Sequence, residues 1–101
     1  MMAVVENRDF AEIRLQGDQD PSQLSEVDLL RYFLYQRQMW LHFQNVWTQW
    51  QLGVLDDEVW AGYEWVICGD LVKTQTKKNW WRDKHSKALS LEFARQIEGC
   101  D

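Results

Sequence analysis

The sequence predicts an all-α fold, a compact bundle of four to five helices around one long central helix at about residues 25–52. Three observations carry this expectation. One proline and five glycines in 101 residues leave little material for hairpin turns. Apolar residues recur at three-and-four spacing along most of the chain. Serine and aspartate start signals, paired with glycine stops, divide that pattern into segments. A hydrophobic share of 46% against 27% charged residues is globular composition, and the length suits a single domain over residues 1–101.

Residues 4–16 form the first predicted helix, with Phe10 and Ile13 on an apolar side, and Val5, Arg8, Asp9, Ala11, Glu12 and Leu15 around it. Gly17, an acidic stretch and Pro21 mark its stop and a turn-rich connection. Ser25 reads as the N-cap of the second helix. Asp28 stands three residues on, as an acidic variant of the capping box, and Leu24 and Leu29 occupy staple positions. Gly53 supplies the left-handed stop. Within this helix Leu29, Phe33, Gln36, Trp40, Phe43, Trp47 and Trp50 form a heptad-like seam, and Val27, Leu30, Leu34 and Leu41 form a second, shorter stripe. Such a helix is roughly 40 Å long, against about 33 Å for the diameter of a compact domain of this size. Its apolar, Trp-rich overhang is therefore expected to meet a second chain.

Asp56 opens a third helix, with acids in its first turn and Leu55 set against Trp60, and the pattern runs to about Val72. Trp60, Tyr63, Ile67 and Leu71 make one stripe, and Ala61, Trp65, Cys68 and Val72 another, which predicts central burial. Gly62 and Gly69 share the remaining face; each costs about 1 kcal/mol relative to alanine, and close approach of a neighbouring helix is the expected compensation. A polar connection leads into a short helix around Trp80 to Lys84. Ser90 caps a last helix that Gly99 stops.

The net charge of −5 is segregated: residues 1–72 carry 12 acids against 4 bases, and residues 73–101 carry 7 bases against 4 acids. The acidic total argues against a nucleic-acid binder. The basic segment still holds Lys77, Lys78, Arg82 and Lys84 beside Trp80 and Trp81, a composition that grips single strands or anionic surfaces when it is not simply solvated lysine around packed rings. No apolar run reaches the 18 or so residues of a membrane span, and a signal-peptide pattern is missing, so the cytoplasm is the expected location. Cys68 and Cys100 are far apart and outside any ligand spacing; reduced structural thiols are expected, with no metal and no cofactor. His42 and His85 have no orienting partner in view and are expected to be exposed or locally bonded. Glu64 is expected to pair with Arg8, Arg14 or Arg37, or to lie at a helix edge. Without a nucleophile–base pair, metal cluster or phosphate loop, an enzyme is not expected.

Phe43, Gln44 and Asn45, then Trp47 and Trp50, then the run from Gly53 to Trp60, resemble the central pattern of an uncharacterised family of small bacterial helical domains. Trp80 and Trp81, with Ser90, Leu91, Glu92 and Phe93, are similar to its C-terminal pattern. The resemblance covers roughly residues 5–97 and implies a helical domain without catalytic residues. Members of that family often follow a single N-terminal membrane helix, for which this sequence has no equivalent, and glutamate is common where this chain has Gln44.

The leading expectation is thus a non-enzymatic helical interaction module, a homodimer through the Trp-rich side of the second helix, with an unidentified protein as a further possible partner. The candidate interface or ligand residues are Trp40, Phe43, Trp47, Trp50, Trp60, Glu64 and Trp65. The alternative is a pocket lined by Trp47, Trp50, Trp60 and Trp65 for a small apolar or cationic ligand.

Overall fold

A computed structural model describes residues 2–100 of the chain, with side chains from residue 10 onward. The described residues are all-α: α1 (Met2–Gln19), α2 (Glu26–Gln51), α3 (Asp57–Val66), α4 (Gln75–Lys84) and α5 (Leu91–Glu98), with no strand among them. The chain divides into two compact units, Met1–Gln36 and Arg37–Asp101. The side chains of Val5, Arg8 and Asp9 lie outside the described residues.

The first unit holds α1, a 3₁₀ turn at Pro21–Gln23, and the start of α2. Gly17 does not stop α1, which continues to Gln19. Its glycine character serves packing instead: a Cβ there would lie 2.6 Å from Tyr32 Cε1, so the Tyr32 ring rests on bare backbone. The buried Tyr32 hydroxyl donates to the Asp18 carboxylate at 2.7 Å and accepts from Gln36 Nε2 at 2.9 Å. Burial, and then the Asp18 carboxylate, push this phenol above its ordinary pKa. Phe10 meets Tyr35 edge to face at 4.9 Å, and Ile13 is buried, as their shared apolar side predicts. Asp20 caps the 3₁₀ turn, accepting from the Ser22 amide and hydroxyl. The Ser25 hydroxyl accepts from the Asp28 amide at 3.2 Å, the cap the sequence announces.

In the second unit the Trp-rich seam of α2 faces inward. Trp40, Phe43, Val46 and Trp47 form one core with Trp60, Ile67, Trp81, Phe93 and Ile97. Gly53, at φ 80°, makes the left-handed stop after α2. The third helix is shorter than its periodicity suggests: the α-helix ends at Val66, and Ile67–Leu71 is a π-helical turn. The fourth begins earlier than expected, at Gln75, because Thr74 caps it by accepting from the Lys77 amide at 3.1 Å. Ser90 caps α5 in the same way through the Phe93 amide. The indole N–H groups of Trp47, Trp60 and Trp81 are buried without an acceptor among the described residues. Each such loss costs about 1–3 kcal/mol. Burying a tryptophan's roughly 150–250 Å² is worth about 4–6 kcal/mol, so the rings remain net stabilising.

The two cysteines form a disulfide. Cys68 and Cys100 lie 32 residues apart in sequence and 5.2 Å apart at Cα, because the chain after α5 returns to the π-helical turn. The expectation of two reduced thiols is corrected accordingly.

Candidate functional site

The residues singled out from the sequence separate into core and surface. Trp40, Phe43, Trp47 and Trp60 are buried, so the Trp-rich side of α2 is a packed interior and not a surface for another chain. Trp47 packs on Phe93 at 5.6 Å, and Trp50 stacks on Trp60 at 5.4 Å with its indole N–H donating to Asp57 at 2.8 Å. Trp65 is 77% exposed. The four indoles expected to share a pocket are therefore not gathered around one opening. Glu64 accepts from Gln96 Nε2 at 3.1 Å in an exposed hydrogen bond, in keeping with a helix-edge position; of the arginines expected as its alternative partners, the side chain of Arg8 lies outside the described residues.

The basic segment is engaged within its own unit. Lys77 Nζ lies 3.5 Å from the Asp70 carboxylate and donates to the Asp70 carbonyl at 3.0 Å. Lys78 Nζ donates to the carbonyls of Glu98 and Cys100, fastening the end of the chain. Arg82 makes a two-point contact with the Glu98 carboxylate at 2.9 Å for each bond, which holds that carboxyl below its ordinary pKa. Lys84 Nζ sits 5.4 Å over the Trp80 ring, and Trp81 is a core residue. These side chains tie α4 to its surroundings.

Two residues had no assigned role in the sequence pattern and acquire one. His85, expected exposed or locally bonded, is fully buried and takes Arg37 Nε at its Nδ1 at 3.3 Å, while Arg37 Nη2 donates to the Lys84 carbonyl at 2.8 Å. An Nδ1 that accepts leaves the imidazole proton on Nε2. Burial, and then the guanidinium charge, lower its pKa to about 4. Gln44 accepts from the Ser90 backbone N–H, tying α2 to the start of α5. Either an amide or a carboxylate oxygen can do this, so the position needs an acceptor and not an acid.

What the second unit leaves open is the outer face of α3. Contrary to the predicted central burial, Ala61, Gly62, Trp65, Val66 and Gly69 are exposed. An added Cβ at Gly62 or Gly69 would meet nothing within 4 Å among the described residues, so no other helix of this unit packs on them. Phe43, Val59, Gly62, Tyr63 and Val66 line an open groove of about 310 Å³. His42, exposed on α2, flanks it with its ring 6.1 Å from Tyr63. The first unit has an open apolar face of its own: Val27, Leu30 and Leu34, at helical spacing on α2, are 62%, 57% and 51% exposed. Leu41, the fourth member of that sequence stripe, is exposed in the second unit.

Among the described residues no three His, Cys, Asp or Glu side chains converge as metal ligands would, and no helix is long and apolar enough to cross a membrane. No family model, curated protein or solved structure matches this chain.

Proposed function

We propose that this chain is a non-enzymatic helical interaction module that self-associates through the outer face of α2 in its first unit. The observation that carries the reading is the exposure of Val27, Leu30 and Leu34 at i, i+3 and i+7 on one helix. Soluble chains expose single apolar residues freely, but an ordered stripe is the surface that helix pairing buries. The α1–α2 hairpin adds to this, since Ile13 and Tyr32 are the buried hydrophobic residues among the described side chains of its helices in the first unit, and two such hairpins laid together make a four-helix arrangement.

Burying the exposed half of each side chain is worth about 1 kcal/mol, or roughly 6 kcal/mol over the six in a two-fold pair. That is of the order of the association cost itself, so the pairing is concentration-dependent and not obligate. Light scattering should show a molar mass rising from 12.2 kDa towards twice that value between about 10 μM and 1 mM. The double variant Leu30→Glu, Leu34→Glu should stay at one chain throughout, with Leu91→Glu, another exposed leucine, behaving as the unsubstituted protein. A mass of one chain at every concentration contradicts the proposal.

The bridge between Cys68 and Cys100 supports an oxidising compartment over the cytoplasmic location expected from the sequence, since such bonds persist where thiols are not kept reduced. Alkylation of freshly lysed cells reads this directly: labelling of both cysteines would return the protein to the cytoplasm.

A further inference from the structure

The groove on α3 has the form of a socket for one side chain of another helix. Val59, Gly62, Tyr63 and Val66 stand at i, i+3, i+4 and i+7, the four positions that make a hole in knobs-into-holes packing. Gly62 deepens that hole by lacking a side chain, and a Cβ there would meet nothing within 4 Å among the described residues. The groove is open along its length, which suits a side chain delivered by a helix more than a small molecule needing enclosure. Trp65 stands beside it on the same exposed face.

Charge decides the occupant. Between Gln38 and Val72 the sequence carries Asp56, Asp57, Glu58, Glu64 and Asp70 with no lysine or arginine. Asp70 is paired with Lys77, and Glu64 and Asp57 accept from Gln96 and Trp50. Asp56 and Glu58 are exposed at the N-terminal end of the face. A second copy fits this surface poorly. A second copy of it brings the same acids and no lysine or arginine to meet them, whereas a basic helix supplies the opposite charge.

We propose that the outer face of α3 docks a basic amphipathic helix of another protein. An aliphatic or aromatic anchor seats in the hole, and flanking lysine or arginine side chains reach Asp56 and Glu58 and lie over Trp65. The site is independent of self-association, which uses a different face in the other unit.

The test uses the full chain and two labelled synthetic peptides of one amphipathic pattern, one built from leucine and lysine, the other from leucine and glutamate, read by fluorescence anisotropy. The lysine peptide should bind, more weakly as salt is raised, and the glutamate peptide should not. Gly62→Leu, which fills the hole, and Trp65→Ala should each weaken binding by about tenfold or more. Glu58→Lys should do the same, while Glu92→Lys, at an exposed acid on α5, should leave it unchanged. Far-UV circular dichroism and urea midpoints establish that each variant folds. Equal binding of both peptides, or unchanged binding by folded Gly62→Leu and Trp65→Ala, overturns the proposal. So does a self-association lost in Gly62→Leu but kept in Leu30→Glu, Leu34→Glu, because the groove would then belong to a second copy.

Discussion

The buried imidazole of His85 gives the protein a defined acid response. With no exposed surface and the Arg37 guanidinium donating to its Nδ1, the ring cannot take a proton without losing that bond and placing two cations together. Its pKa is lowered to about 4 from 6.5, by burial first and by Arg37 second. The unfolded chain, whose histidine titrates normally, therefore binds more protons than the folded one between these values. The stability this represents is fully present above pH 6.5 and is lost as pH falls through about 4. At 1.36 kcal/mol per pH unit the total is about 3 kcal/mol, with a slope of about 1 kcal/mol per unit between pH 6 and 4.5. Urea unfolding at pH 7, 6, 5.5 and 4.5 measures that slope before most carboxylates titrate. His85→Gln, which keeps an acceptor for Arg37, should flatten it. Constant stability from pH 6.5 to 4.5, or an undiminished slope in His85→Gln, would refute the argument. So would an imidazole resonance of His85 that titrates near 6.5.

Two further outcomes follow from packing and covalent constraint. Gly17→Ala places a methyl 2.6 Å from the Tyr32 ring, so the ring must shift and strain its bonds to Asp18 and Gln36; about 1–3 kcal/mol should be lost, measured by thermal unfolding. If this variant is as stable as its parent, the close contact is not rigid. Cys68→Ser opens a 32-residue separation closed by the bridge and should cost about 3–4 kcal/mol by loop-closure entropy, whereas the same substitution measured in excess reductant should cost little.

How far the fold could be read from the sequence depends on how local each cause is. The Ser25 and Ser90 caps and the Gly53 stop involve groups within a few residues of one another, and all three stand where the sequence puts them. The seam of Trp40, Phe43 and Trp47 was legible as an apolar side of a long helix that must be covered, but its cover was misread: the sequence assigned it to a second chain, whereas Trp60, Trp81 and Phe93 of the same unit pack on it. Gly17 misled because the reason for it, the Tyr32 ring, comes from another helix. Cys68 and Cys100 misled for the same reason, since spacing along the chain says nothing of how the end returns. In α3 two apolar stripes competed for one interior. Periodicity could not choose between them: Ala61 and Trp65 of the second stripe are exposed, while Val72 of the same stripe is buried beyond the π-helical turn. The basic segment looked available because lysine count reports charge and not the carbonyls and carboxylates that Lys77, Lys78 and Arg82 meet.

The most direct test of self-association through α2 is an isotope-filtered nuclear Overhauser experiment on a mixture of labelled and unlabelled chains at about 1 mM, the upper end of the concentration range in which weak pairing is populated. The account predicts cross-peaks between copies from the methyl groups of Val27, Leu30 and Leu34. Cross-peaks confined to Val59 and Val66 of α3, or none at all at that concentration, would contradict it.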